Sequence, residues 1–73
     1  MFRIERLKRP LTDADPIPQD YLPGTYALRE DAIEVIEALI SAYQQHGYDA
    51  KQDYWWARDT GEIENNIFVV RAF

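Results

Sequence analysis

Cysteine is absent from the 73 residues, so neither disulfides nor thiolate metal ligands contribute to this fold. There is one histidine, His46, and there are three glycines, none of them in a phosphate-cradling Gly-rich pattern. Zinc spacings, nucleotide loops and His-containing triads are therefore missing as motifs. The longest aliphatic and aromatic run, Ile67-Phe68-Val69-Val70, is far shorter than the ~20 residues a membrane helix needs. The opening Met1-Phe2-Arg3-Ile4-Glu5-Arg6 alternates apolar and charged side chains where an export signal would need an unbroken apolar stretch. The expectation is a soluble, cytoplasmic chain with no membrane association.

What is present is a folded composition, with 47% hydrophobic and 14% aromatic residues. Residues 1–73 are read as one domain, small enough to bury only about 60% of the surface its unfolded chain exposes. Charge is unevenly placed. Residues 1–9 hold four basic side chains against Glu5, whereas four basic side chains face twelve acids from Pro10 onward, within a formal net charge of −5. Such a field disfavours nucleic-acid phosphates and favours a basic partner, although acidity also serves solubility.

Phe2, Ile4 and Leu7 between charged neighbours predict a half-buried strand ended by Pro10. Residues 10–24 hold all four prolines and read as a long loop, with Ile17, Tyr21 and Leu22 available to pin it over the core. Thr25–Leu28 is a candidate short strand. From Glu30 to His46, Ala32, Ile33, Val35, Ile36, Leu39, Ile40 and Tyr43 recur at helical spacing. Arg29 stands at the expected N-cap, and Gly47 stands where a left-handed C-terminal cap is wanted. Lys51–Arg58 and Asn66–Phe73 read as paired antiparallel strands around the turn Asp59-Thr60-Gly61-Glu62. The fold class that follows is α+β: one amphipathic helix packed on a three- or four-stranded antiparallel sheet.

Chemistry is sparse. His46 on the last helical turn reads as a group satisfying terminal carbonyls rather than as a base oriented by Asp49, because nothing else suggests a nucleophile or pocket. Asp13-x-Asp15 has the opening spacing of a calcium loop but lacks the glycine turn and the later glutamate, so no metal or cofactor is expected.

Binding is better represented. Adjacent strand residues point to opposite faces, so Trp55 and Trp56 cannot both lie under the single helix. With Trp55 and Ala57 facing the helix, Tyr54, Trp56 and Arg58 share the other face with Ile67, Val69 and Arg71, a composition typical of interface hot spots. The outer helix face carries Glu30, Glu34 and Glu37 with no intervening cation, and each like-charge neighbour pair costs a few tenths of a kcal/mol. These features point to a non-enzymatic acidic protein-binding module, such as an inhibitor that occupies a basic, nucleic-acid-binding surface of its target. The rivals are a single-stranded nucleic-acid binder using the aromatic face with Arg3, Arg6, Lys8, Arg9, Arg58 and Arg71, a small metal-free enzyme, and a structural homo-oligomer. A homodimer is compatible with any of these.

Overall fold

A computed structural model describes residues 1–12 and 14–73. In chain order the elements are β1 (Phe2–Pro10), β2 (Ile17–Tyr21), α1 (Arg29–Ile40), β3 (Gln45–Asp49), β4 (Tyr54–Arg58) and β5 (Glu64–Ala72). All strands pair antiparallel in the order β2-β1-β5-β4-β3, and α1 packs on one face of the sheet. The class is α+β with one helix. The sheet has five strands where the sequence predicts three or four.

β1 and β5 form the spine. They pair from Phe2 opposite Ala72 to Pro10 opposite Glu64, bringing the two ends of the chain to the same sheet centre, and Phe73 N–H donates to the Met1 carbonyl at 3.0 Å. Alternation along these strands divides the core. Ile4, Phe68, Trp55 and Ala57 meet Ala32, Ile36 and Ile40 of α1, with Leu22, Tyr26, Ile33, Tyr43 and Val70 around them. Leu7, Ile67 and Tyr54 form a second cluster on the opposite face, with Trp56 and Val69 packed against it.

The two extra strands come from segments whose local sequence argues otherwise. β2 lies inside the proline-rich stretch. Pro18 is tolerated because β2 is an edge, and the pairing with β1 shifts between Arg6 and Leu7. Arg6 fixes the register with paired bonds to Asp20, both 2.9 Å. Of the three side chains proposed to pin this stretch, only Leu22 packs on the core, while Ile17 and Tyr21 are exposed. Thr25–Leu28 contributes no named strand, only a single bridge from Tyr26 to Phe2.

The helix is shorter than its periodicity. It stops at Ile40, with Ser41 as C-cap in a right-handed helical conformation. The turn then tightens, as Tyr43 N–H reaches the Ile40 carbonyl at 3.0 Å. Gln44 ties this turn to the end of β4: its N–H donates to Asp59 Oδ1 at 3.1 Å and its Oε1 accepts from Thr60 N–H at 2.6 Å. These tertiary bonds override continued helix, so His46 and Gly47 lie in β3 instead of at a helix terminus. Leu28, not Arg29, is the N-cap, and no side chain caps the helix there.

Gly47 has a different use from the predicted cap. A Cβ on it would lie 2.9 Å from Trp56 Nε1, so the indole occupies the space a side chain would fill. Gly61 does supply a positive φ of 91° in the predicted β4–β5 turn.

Ile36 is fully buried between α1 and the sheet. Ile36→Ala is expected to lower the unfolding free energy by about 2–5 kcal/mol, measured as a fall in the urea midpoint. A loss well under about 1 kcal/mol would mean that the helix is not seated as described.

Candidate functional site

The six residues singled out for partner binding separate onto two sides of the molecule. Glu30, Glu34 and Glu37 are exposed on α1, and none forms an ion pair among the described residues. Tyr54, Trp56 and Arg58 alternate with Trp55 and Ala57 and so lie on the sheet face away from the helix. One rigid ligand cannot touch both sets.

On the helix side, the apolar stripe is wider than the core beneath it. Ala32, Ile36 and Ile40 are buried, but Leu28 (58%), Val35 (38%) and Leu39 (37%) remain exposed on a shoulder. The helical spacing from Leu28 to Val35 and Leu39 puts these three in one line along one edge of the core-facing stripe, next to Asp31, whereas the glutamates lie beyond the other edge, roughly 150° round the helix. Periodicity alone assigns Val35 and Leu39 to the core. What it misses is that a single helix on a twisted sheet presents only a narrow contact strip.

On the far side, Trp55 is 6% exposed and its neighbour Trp56 is half-buried, as opposite-facing indoles require. Tyr54, however, is 8% exposed, and its hydroxyl accepts a bond from Arg9 at 2.8 Å. A cleft of about 240 Å³ is floored by Leu7, Tyr54, Ile67 and Val69 and rimmed by Arg9, Arg71 and the segment Ala14–Pro16. Residues 14–16 thus border the cleft, which neither Ile17 nor Tyr21 lines, although Tyr21, opposite Glu5, lies on the same face beneath Arg3. The face also collects four of the six arginines: Arg3, Arg9, Arg58 and Arg71. Arg3 and Arg71 stand opposite each other, a pairing of like charges that is unfavourable by itself. It is relieved by Arg71 bonding Glu5 at 2.9 Å and by Arg3 stacking 3.7 Å over the Tyr21 ring. Arg58 reaches Gln45 and Asn65 and has no carboxylate partner among the described residues. Arg6 pairs with Asp20, and alternation puts both Arg6 and Lys8 on the helix side, so the basic N-terminal segment does not act as one patch.

A third cluster carries no sequence signal. Arg29 at the start of α1 donates to both oxygens of Asp53, at 3.0 and 2.9 Å, and Tyr48 Oη–H donates to Asp53 Oδ1 at 2.7 Å. Asp53 sits at φ 55°, in the left-handed region that Asp tolerates better than most residues. The Tyr48 hydrogen bond, reinforced by Arg29, holds the Asp53 carboxyl below its ordinary 3.8, and the same bond holds the Tyr48 phenol above 10.0. The cluster ties the helix N-terminus to the β3–β4 turn. It lacks a nucleophile or an enclosed pocket.

His46 is exposed in β3, three residues from Asp49, and no bond joins them. No group of three or more His, Asp or Glu among the described residues could hold a metal ion; the Asp13-x-Asp15 spacing involves Asp13, outside those residues. No described helix is long and apolar enough to cross a membrane. Comparisons with protein-family models, with curated proteins and with solved structures find no match, so residue chemistry alone carries the functional reading.

Two outcomes follow. Tyr48→Phe should raise the Asp53 midpoint towards its ordinary value in an NMR carboxyl titration. Because folding depresses this pKa, its contribution to stability is present above about 3.8 and fades as pH falls through the folded value; Tyr48→Phe should therefore lessen acid-side destabilisation. Gly47→Ala should displace the Trp56 indole and lower stability by about 1–3 kcal/mol, seen as a shifted tryptophan emission and a lower melting temperature. An unchanged emission would show that the strand relaxes without moving the ring.

Proposed function

We propose that this chain is a non-enzymatic protein-binding module whose outer helix surface docks on a basic surface of a partner protein. One observation carries the reading: the glutamates Glu30, Glu34 and Glu37 share one exposed helix face with no ion pair among the described residues, while the apolar line Leu28, Val35 and Leu39, with Asp31 beside it, is left exposed on another face of the same helix. The glutamate stripe selects a cationic counterpart and speeds encounter, and the apolar line supplies burial to a partner that wraps the helix. Neither feature follows from the fold, since the exposed apolar residues add nothing to the core and the glutamates repel one another. A target surface that ordinarily holds nucleic acid has the matching charge, which would make the module an inhibitor by occupation.

The second reading, single-stranded nucleic acid on the far face, is favoured by the four arginines gathered there. It is weakened by Tyr54, which is too buried to stack a base and leaves Trp56 as the one half-exposed ring on β4.

Glu30, Glu34 and Glu37 changed together to Lys should keep the fold, because each swap opposes the macrodipole by at most about 1 kcal/mol near the N-terminus. Binding to proteins captured at low salt should fall by more than about 100-fold, as several kcal/mol of repulsion replaces attraction. Circular dichroism checks the fold and titration calorimetry the affinity. Parental affinity in the folded triple variant would refute the helix surface as the docking site, and saturable binding of single-stranded DNA by the parent chain would favour the far face.

A further inference from the structure

The two outer edges of the sheet differ. β2 is guarded by Pro16 and Pro18, and its pairing with β1 is shifted so that Gln19 has no opposite residue. β3 has none of these devices. Gln45, His46, Gly47, Tyr48 and Asp49 pair with β4 in unbroken register, without proline, lysine or bulge, and no other described strand lies on their outer side. An edge of this kind leaves a row of backbone donors and acceptors available for strand addition.

The geometry points to a second copy of this chain as the occupant, its β3 adding antiparallel to this β3 about a two-fold axis normal to the sheet at Gly47. Self-complementarity is the reason. This register alone pairs all five residues, and it sets Gln45 against Asp49, His46 against Tyr48 and Gly47 against Gly47 across the axis. No like charges face each other between the two β3 strands. Gln45 gives its Oε1 to Arg58, which leaves its amide N–H groups to donate outwards. Asp49 uses Oδ1 for the N–H groups of Lys51 and Gln52, and its Oδ2 has no partner among the described residues, so the facing amide and carboxylate match. His46 and Tyr48 make a cross-strand aromatic pair, a favourable class of neighbour. At the axis, the side of Gly47 that a Cβ would occupy is filled by Trp56 of the same copy, so nothing projects between the two backbones. A two-fold normal to the sheet keeps both helices on one side of a sheet continuous across both copies. The arrangement does not rest on the partner proposed above, although Glu37 borders the depression that His46, Gly47 and Tyr48 line.

Sedimentation equilibrium of the full chain from micromolar to millimolar concentration should show the mass rising from one chain to two. The register is tested with two single-cysteine variants, His46→Cys and Tyr48→Cys, in the otherwise cysteine-free chain. Directly opposed positions fit disulfide geometry, so an oxidised equimolar mixture should form at least about tenfold more cross-linked dimer than either variant alone. A monomer mass at every concentration overturns the proposal. So does cross-linking no greater in the mixture than in the separate variants, which would mean another interface or a free edge.

Discussion

β5 holds this molecule together because its two central residues serve opposite faces. Phe68 lies under the helix with Trp55 and Ile4, while Ile67, the residue before it, anchors Leu7 and Tyr54 on the far side. A shift of one residue in the β1–β5 register would carry one strand's apolar set to the other face and bring Arg9 of β1 or Arg71 of β5 under the helix, so the pairing is strongly specified. Every other strand takes its place from that pair. The helix follows as well, because the buried strip formed by Ile4, Phe68 and Trp55 is only wide enough for Ala32, Ile36 and Ile40. What lies beyond it, Leu28, Val35 and Leu39, is left to water or to a partner.

How far the sequence discloses this fold depends on where the determining forces are local. The β1, β4 and β5 segments declare themselves through alternation and aromatic density, and the opposite orientations of Trp55 and Trp56 follow from the period of a strand. The helix start is legible from periodicity and acids in the first turn. Its end is not, because Ser41-Ala42-Tyr43-Gln44 is compatible with helix, and the stop comes from bonds to Asp59 and Thr60, fifteen or more residues away. β2 is hidden by its prolines, which argue against strands in general but not against an edge strand. Gly47 shows a subtler failure: its chemistry, the absence of a side chain, is right for two roles, and only the position of Trp56 separates packing from capping.

The candidate site was legible in part. Glu30, Glu34 and Glu37 can be counted onto one helical face from spacing alone, and they are exposed. Tyr54 shares a face with Trp56 and Arg58 as alternation requires, yet its burial under Arg9 depends on where residues 14–16 lie, which no periodicity encodes. The Arg29–Asp53–Tyr48 cluster joins three elements across 24 positions and leaves no spacing signature.

The distribution of the arginines has a consequence for how the molecule meets anything charged. With glutamates along the helix and four arginines behind the sheet, side chains of opposite charge are gathered on the two sides of the molecule. At distances beyond a Debye length, about 8 Å at physiological ionic strength, little of either charge is felt. Closer in, the near face outweighs the sum. A body with a net charge of −5 can therefore turn as it approaches an anionic surface and arrive arginine side first, so its total charge does not tell which pole makes contact.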